Sequence, residues 1–385
     1  MRRFLLAASL AWAMAMTASP VLAQERVVIG VLTALTGPLA APGRFQMNGF
    51  NLAVDALNEA GGIQVGSRRL RVELRAYDTR GNPAEGASGM QRLTTVDRVP
   101  VVLGEVSSAV VAAIGPIAAD NEVPFVMTVP TATSLTQQGN QFLFRVNAHS
   151  DQLTEGLAAL VRERGLQPLA FIAWNNDAGR GGVTGMRAAM PQGWGFAYAG
   201  YFNVGEVDFS AHVTNIRNSG ARAVMLMMDE EPGSLAISQI RAAGLPVQLI
   251  GTLAMGSDRF LTRLDAARLA GMLQYSAFPP NAPIPRIQAF ARRYREKFNE
   301  EAHGFAAQSY DGLMIAAAAI TAAGALDGRR VRDALARTDY QGVIGPIRFD
   351  ATGQASPPIY VTEWCADGRR RIVAPADMRA DCGAG

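Results

Sequence analysis

Apolar residues along this chain alternate between short continuous runs and longer stretches with helical spacing. The run from Arg26 to Leu32 is almost wholly apolar, which is typical of a strand buried on both faces of a parallel sheet. From Arg44 to Ala60 the apolar positions recur at helical spacing, and Gly61-Gly62 ends the predicted helix. The same alternation continues along the chain. It predicts strands over 26–32, 70–77, 100–103, 124–127, 169–174, 196–202 and 223–228, and helices over 44–60, 82–95, 108–121, 150–164, 183–190, 209–218 and 234–243.

Regular alternation of strand and helix indicates a doubly wound α/β architecture with parallel sheets. The chain has 385 residues, which exceeds the roughly 250 to 300 residues at which a single core stops growing. Two lobes are therefore expected. In each lobe, the loops that follow the carboxyl ends of the parallel strands are the candidates for binding a ligand.

The first 23 residues have the pattern of a secretory signal peptide. Met1-Arg2-Arg3 is positively charged, Phe4 to Met16 is apolar, and Val21-Leu22-Ala23 places small residues before Gln24. The apolar run ends at Ser19-Pro20, short of the about 20 residues that a transmembrane helix needs. We therefore expect residues 1–23 to be removed and the mature protein to be exported.

The composition excludes several classes of function. With 49% hydrophobic and 18% charged residues the chain folds, and a net charge of +3 gives no clustered basic surface for nucleic acid. The basic residues are 35 arginines and one lysine, Lys297, so phosphate-binding and Schiff-base lysines are disfavoured. His149, His212 and His303 are far apart in the sequence, and the sequence contains no spacing of ligands that is typical of a zinc site. We expect no metal, no cofactor and no catalytic activity.

Both cysteines lie near the end of the chain. The segment 359–373 reads as a hairpin with an Asp-Gly turn, and Cys365 lies within it. Since export implies an oxidising compartment, we expect Cys365 to pair with Cys382 and fasten the tail to the hairpin. Two free thiols are the alternative.

Two predicted loops of the first half of the chain carry short hydroxyl side chains. Ser107 and Ser108 stand between a strand and a helix, where free backbone N–H groups favour a carboxylate. Thr131, Ala132 and Thr133 follow the next strand. The two loops could converge on one ligand group; alternatively, Ser108 is only the N-cap of its helix.

An acidic loop, Asp229-Glu230-Glu231, follows the predicted strand 223–228. Its carboxylates could bind a ligand ammonium group, or two or more of them could be favourable charges at a helix start. A further loop, Asp177 to Gly185, resembles a dinucleotide-binding fingerprint, but Thr184 stands where its third glycine should be.

Several segments together resemble the periplasmic branched-chain amino acid (Leu/Ile/Val) binding family. The resemblance runs in order through nearly all of the chain after residue 23. It is carried by Val28 to Leu39, Ala53 to Ile63, Tyr77-Asp78 with Asn82-Pro83, Pro130 to Ser134, Asp208 to Ser210, and Gly345 to Asp350.

The resemblance implies two α/β lobes joined by a three-crossover hinge, which close on a small-molecule ligand. It places residues 24–147 plus 279–353 in one lobe and residues 148–278 plus 354–385 in the other. It also implies a periplasmic protein, here expected to be a monomer, that delivers an amino acid or carboxylate to the permease of an ABC importer in the inner membrane.

The same resemblance places the carboxylate-binding serine of the family on Ser108, with Ser107 beside it, and the family's second ligand loop on Thr131, Ala132 and Thr133. These residues are the first group of candidate ligand contacts.

Three pocket-wall positions depart from the family pattern. Pro42 and Ala178 stand where aromatic residues usually pack on the ligand, and Leu253 stands near the acid that usually holds the ammonium. Either Asp229 replaces that acid or the ligand has no ammonium, and simple leucine is disfavoured. A ligand-sensing protein of the same fold, signalling to a membrane receptor, is the alternative function.

Overall fold

The computed structural model describes residues 25–255, 258–280, 282–375, 378–379 and 381–382; for a few of these, Ala178 among them, only the backbone is described. The predicted signal peptide, residues 1–23, lies outside the described residues. The strands are β1 (Arg26–Thr33), β2 (Ile63–Val65), β3 (Arg68–Asp78), β4 (Val102–Gly104), β5 (Phe125–Met127), β6 (Leu143–Arg145), β7 (Leu169–Trp174), β8 (Phe196–Phe202), β9 (Ala223–Met227), β10 (Gln248–Gly251), β11 (Leu273–Ser276), β12 (Asp339–Gln341), β13 (Pro346–Arg348), β14 (Tyr360–Trp364) and β15 (Arg370–Ala374). The α-helices are α1 (Ala40–Glu59), α2 (Pro83–Thr95), α3 (Ser108–Asp120), α4 (Ser150–Glu163), α5 (Asp177–Ala189), α6 (Ser210–Ser219), α7 (Glu230–Ala242), α8 (Ala266–Leu269), α9 (Pro285–Phe298), α10 (Gly304–Ala323) and α11 (Gly328–Leu335).

Two large sheets organise the chain. The first has the order β2-β3-β1-β4-β5-β6, and all of its strands except the short β2 run parallel. The second has the order β15-β14-β11-β10-β9-β7-β8, in which β7 to β11 are parallel, β14 is antiparallel to β11, and β15 is antiparallel to β14. A separate ribbon pairs β12 with β13. The predicted two-lobed α/β fold is confirmed.

The chain passes between the two sheets three times. Residues 146–149 lead from β6 to α4, residues 277–284 lead from β11 to α9, and residues 355–359 lead into β14. Helices α9 to α11 return to the first sheet, where Ile287, Phe290 and Leu313 share a core with Val27 and Ile29 of β1. The lobe boundaries 24–147 plus 279–353 and 148–278 plus 354–385 stay a prediction.

Three helices begin earlier than predicted. Helix α1 begins at Ala40 instead of Arg44, and α7 begins at Glu230 instead of Ser234. Their prolines, Pro42 and Pro232, lie in the first turn, where a proline costs no hydrogen bond because those N–H groups have no helical acceptor.

Helix α5 begins at Asp177 instead of Val183, although it contains four glycines. The side chain of Asn176 accepts a hydrogen bond from the Gly179 N–H, at 2.9 Å, and so caps the helix. Capping together with packing on the sheet overrides the weak helix propensity of glycine.

Close packing of α1 on α10 depends on Gly49. A Cβ atom placed on Gly49 would lie 2.1 Å from the carbonyl oxygen of Ala306, in the backbone of α10. The two helices therefore touch along their backbones at this point, which sets how closely the start of α10 approaches the first sheet.

The Cys365–Cys382 bridge is present, with Cα atoms 5.6 Å apart. It joins the turn between β14 and β15 to the end of the chain, and Arg369 adds a hydrogen bond from its guanidinium to the Cys382 carbonyl, at 3.0 Å. Both interactions hold the tail against the antiparallel hairpin. Within the described part of the chain, no single helix has the length and apolar character of a membrane span.

We predict opposite effects for two glycine-to-alanine substitutions within helices. Gly49→Ala should destabilise the protein by about 1 to 3 kcal/mol, because the methyl group of the alanine pushes α1 away from α10. Gly181→Ala in α5, where a Cβ meets no atom within 4 Å, should stabilise by about 0.5 to 1 kcal/mol through its better helix propensity. Urea unfolding followed by circular dichroism measures both. Equal changes for the two variants would contradict the close approach at Gly49.

Because Cys365 and Cys382 are bridged, we predict that protein collected from the periplasm of an expression host reacts with no alkylating agent until its disulfide is reduced. Reduction should cost on the order of 3 kcal/mol, since the two bridged cysteines are 17 residues apart in the sequence. Intact-mass spectrometry before and after reduction tests the pairing. Two alkylated thiols in unreduced protein would contradict it.

Candidate functional site

The two hydroxyl-bearing loops of the first lobe are in direct contact. They follow β4 and β5, which are neighbours in the sheet. Ser108 Oγ accepts a hydrogen bond from the Ala132 N–H at 3.3 Å. The N-cap of α3 is Ser107, whose side chain accepts from the Val110 N–H at 3.4 Å. The reading of Ser108 as only an N-cap is therefore wrong, since Ser108 is the first residue of the helix and joins the two loops.

The second loop is also tied to the start of the other lobe. The Thr131 carbonyl accepts hydrogen bonds from the backbone N–H and the hydroxyl of Ser150, the first residue of α4, at 2.7 and 2.9 Å. Thr133 Oγ1 lies 3.4 Å from Nδ1 of His149, the N-cap of α4. Residues 131–133 therefore lie directly against the first connection between the lobes, where a ligand could influence the hinge.

A buried glutamine supports these loops from behind. Gln46 of α1 is fully buried, and its amide nitrogen donates to the Glu105 carbonyl at 2.8 Å and to Thr128 Oγ1 at 2.7 Å. Its amide oxygen accepts from Thr33 Oγ1 at 2.5 Å. One side chain thus connects the carboxyl ends of β1, β4 and β5. The sequence prediction missed Gln46; its signal is a polar residue on the apolar face of a predicted helix.

Glu105 places a buried carboxyl group next to Ser107 and Ser108. Both of its carboxyl oxygens lie 3.1 Å from Thr79 Oγ1. Burial raises the pKa of Glu105 to about 7, partly offset by hydrogen bonds from the Val106 and Ser107 backbone and from Thr79. The carboxyl group is therefore close to half protonated at neutral pH, which limits its repulsion of an anion bound at the neighbouring loop.

Asp229 ends the corresponding strand, β9, of the second lobe. It precedes α7 but makes no side-chain capping hydrogen bond, and among the described residues its carboxylate has no partner. Asp229 is exposed to solvent, yet surrounding protein removes enough hydration to raise the pKa of its carboxyl group. The Asp229 carboxyl group is therefore both accessible to solvent and partly desolvated.

The two acids that follow Asp229 have a different role. Glu230 and Glu231 lie in the first turn of α7, where they favour the helix dipole. Glu231 also forms an ion pair with Arg263, at 3.6 Å, with both side chains largely exposed. Of the three acids in this loop, Asp229 is the one available to a ligand by geometry.

The pocket-wall candidates are placed as follows. Pro42 is half-buried in the first turn of α1, and Ala178 lies in the first turn of α5. Leu253 is buried, and its Cδ1 would lie 3.7 Å from a Cβ on Gly304, at the start of α10. Because α10 belongs to the core of the first sheet, Leu253 is a contact between the two lobes.

Aromatic residues that the sequence prediction did not single out surround this contact. Phe45, three residues after Pro42, stacks on His303 with ring centroids 4.5 Å apart, and Phe305 meets the same histidine edge-on at 4.5 Å. Tyr275 of β11 accepts a hydrogen bond from the Leu253 backbone, and burial raises the pKa of its hydroxyl to about 12. Aromatic rings are therefore present near this wall, although Pro42 itself is not aromatic.

Two surface cavities of about 520 and 400 Å³ lie elsewhere, in the second lobe. The larger is lined by Arg222 and Gln248, at the amino ends of β9 and β10, and so lies at the opposite end of these strands from Asp229. Parallel sheets bind ligands at their carboxyl ends, so the larger cavity is not our candidate site. The smaller cavity is lined by residues of α7 and of the segment 263–268, and by none of the candidate ligand residues. Within the described part of the chain, no group of three or more histidine, cysteine or acidic residues could hold a metal ion.

Comparison with known proteins agrees with this geometry. The sequence profile of the periplasmic binding protein family matches residues 26–369. The chain belongs to the periplasmic binding protein family. Leu/Ile/Val-binding protein homolog 3 of Brucella melitensis is 27% identical over 350 residues, covering 88% of this chain and 91% of that protein.

Two solved structures have the same fold. The branched-chain amino acid transporter substrate-binding protein LivJ from Streptococcus pneumoniae, in complex with isoleucine, superposes with a TM-score of 0.82 at 25% identity, covering 91% of this chain and all of that one. A solute-binding protein of an ABC transporter from R. palustris, in complex with benzoate, has a TM-score of 0.81 at 19% identity, covering 90% and 95%. The second likeness concerns the fold alone.

We predict that the two sides of the cleft act on different parts of a ligand. Ser108→Ala or Thr133→Ala should weaken every carboxylate ligand by about 1.5 to 3 kcal/mol, since each removes a hydrogen bond to a charged group. Asp229→Asn should weaken amino acids and leave ligands without an amine nearly unchanged. Calorimetric titration with amine and non-amine carboxylates separates these effects.

Glu231→Gln is the matched control for Asp229→Asn, because it removes a charge two residues away that is already paired with Arg263. It should leave both classes of ligand unaffected. Equal losses for amine and non-amine ligands in Asp229→Asn would mean that Asp229 is not the ammonium partner.

Proposed function

We propose that this protein is an extracytoplasmic solute-binding protein of an ABC importer, and that it binds an amino acid or a related small carboxylate between its two lobes. The observation that supports this most directly is the hydrogen bond between Ser108 Oγ and the Ala132 N–H, which joins two hydroxyl-bearing loops at the carboxyl ends of neighbouring strands. Membership of the periplasmic binding protein family supports the same function.

In this proposal the first lobe anchors the carboxylate. Ser108 is the first residue of α3, where backbone N–H groups and the helix dipole favour a negative charge. Thr131 and Thr133 supply hydroxyl groups from the adjoining loop. A small carboxylate needs no chemistry from these residues, only hydrogen bonds that replace the water it loses.

The second lobe supplies the contacts that distinguish one solute from another. Asp229 is the candidate partner for an ammonium group, while Leu253 and Tyr275 offer an apolar and aromatic wall. Isoleucine in one relative and benzoate in another share a carboxylate but differ in the ammonium. An uncommitted acid such as Asp229 is therefore the natural place for specificity to differ within one fold.

Binding is coupled in this proposal to closure about the three connections 146–149, 277–284 and 355–359. Groups on both lobes must reach one small molecule, and the ligand loop at Thr131 is already joined to Ser150 across the first connection. The closed, loaded protein would then deliver its solute to a permease of the inner membrane. Residues 1–23 would direct the chain to the periplasm, with Gln24 as the first mature residue.

A thermal-shift screen of the mature chain against amino acids, amides and aliphatic or aromatic carboxylates tests the proposed function. A true ligand present at a hundredfold its Kd should stabilise the protein by about 2.7 kcal/mol. Small-angle scattering with that solute should then show a smaller radius of gyration. A screen in which no small carboxylate stabilises the protein would contradict solute binding, and an unchanged radius at saturation would contradict closure.

A further inference from the structure

A buried arginine lies directly behind the candidate ligand loop. Arg145, the last residue of β6, is among the largest fully buried side chains, with no exposed surface. Its Nη2 donates to the Ala132 carbonyl at 2.5 Å, and its Nη1 donates to the side-chain oxygen of Gln354 at 3.0 Å. Ala132 is the middle residue of the loop that contains Thr131 and Thr133.

This guanidinium has no counter-charge in the part of the chain that the structure describes. Its two acceptors are a carbonyl and an amide oxygen, and its Nε has no hydrogen-bond partner there. A buried charge without an opposite charge costs free energy, because neutral oxygens replace only part of its hydration. Such a charge is expected to be retained where a further partner, arriving later, compensates it.

Neighbouring titratable groups do not supply that compensation. Asp350 uses its carboxylate to accept hydrogen bonds from Thr352 and from the Gln354 N–H. His149 is also close enough to interact with Arg145, and burial together with the charge of Arg145 lowers the pKa of its imidazole. Arg145 is therefore left without an ion-pair partner among the described residues.

The hydrogen bond to Ala132 also sets the direction of a peptide group. The Ala132–Thr133 peptide is trans, so its carbonyl and its N–H point in opposite directions. Arg145 and the Leu135 N–H, at 3.2 Å, hold the carbonyl on one side. The Thr133 N–H then points to the other side, and no acceptor for it occurs among the described residues.

We propose that Arg145 is a positioning residue that makes this site selective for anionic solutes, by orienting the Ala132–Thr133 peptide and placing a buried positive charge one peptide group behind the bound carboxylate. The inference rests on the proposed function. Arg145 does not contact the solute; it polarises the peptide that does, and in a poorly hydrated site its charge acts over this distance with little screening.

The test compares acetate with acetamide, which have nearly the same size and differ in charge. Thermal-shift titrations at equal ionic strength, balanced with sodium chloride, give apparent affinities for both. The wild-type protein should prefer acetate. Arg145→Gln, which keeps a donor for the Ala132 carbonyl but removes the charge, should reduce this preference by about tenfold or more. Arg145→Lys, which keeps the charge, should retain most of it.

Arg241 provides the matched control. Its guanidinium donates only to carbonyl groups, those of Arg268, Val247 and Ala270. Burial lowers the pKa of this guanidinium. Unlike Arg145, however, Arg241 lies at the amino ends of the strands of the second lobe. Arg241→Gln should lower the unfolding temperature and leave the preference for acetate unchanged. This separates loss of a structural arginine from loss of selectivity.

The inference is overturned if Arg145→Gln keeps the wild-type preference, or if it behaves as Arg241→Gln does. Should Arg145→Gln and Arg145→Lys both fail to fold, equal affinities of the wild-type protein for acetate and acetamide would still overturn the inference, because they exclude a charge-selective site. Solute binding found in the screen without such selectivity would leave the proposed function intact and remove only the role of Arg145.

Discussion

The carboxyl ends of parallel strands leave polar backbone groups in the interior, and the structure of the site depends on how these groups are satisfied. In the first lobe the amide of Gln46 accepts from the Thr33 hydroxyl and donates to the Thr128 hydroxyl and to one backbone group, the Glu105 carbonyl. Backbone N–H groups bond the Thr33 and Gly104 carbonyls. Ser309 of α10 adds a hydrogen bond to Thr128 at 3.2 Å. A buried polar network of this kind is rigid only when every member is paired, so α1 and α10 must both be docked before the loops after β4 and β5 take their places.

The hinge depends on a second buried network, which couples ligand contacts to lobe connections. Gln354 precedes the third connection; its amide oxygen accepts from Arg145, and its amide nitrogen donates to the Asn147 carbonyl at 2.8 Å. Asn147, in the first connection, donates to the Val129 carbonyl at 3.1 Å. The first connection is therefore bonded to the residue before the third connection and to the segment that enters the candidate ligand loop. In the proposed closure that loop and the lobes would move together, because they share these hydrogen bonds.

The two lobes contribute to the candidate site in different ways. In the first lobe the hydroxyl and N–H groups are held by many partners, as expected for a part that recognises the group common to all solutes. In the second lobe Asp229 has no capping bond, and the wall around Leu253 and Tyr275 is built from side chains whose type can change without disturbing the sheet. In the proposed function, recognition of the carboxylate is thus part of the fold, while recognition of the remainder of the solute depends on a few exchangeable side chains.

Sequence and tertiary structure determined different parts of this description. The parallel strands are readable because residues buried on both faces must be apolar throughout, and the hairpin β14-β15 is readable from its alternation and its Asp-Gly turn. The loops that hold Ser108 and Thr133 could be named in advance because strand ends are where parallel sheets bind ligands.

Other features are invisible in the sequence because they depend on residues far apart in the chain. Helices α1, α5 and α7 begin earlier than their local pattern predicts, since caps, first-turn prolines and packing outweigh propensity. Gln46 lies on the apolar face of a predicted helix and Arg145 lies in a strand that the pattern did not predict. Only their partners at Glu105, Ala132 and Gln354 show what these two side chains do. Sequence by itself determined seven of the parallel strands, the hairpin β14-β15 and the loops that carry hydroxyl groups, but it did not predict β2, β6 or β10 to β13. The tertiary structure decided which side chains stand behind those loops, because burial of a polar group is settled by contacts between distant segments.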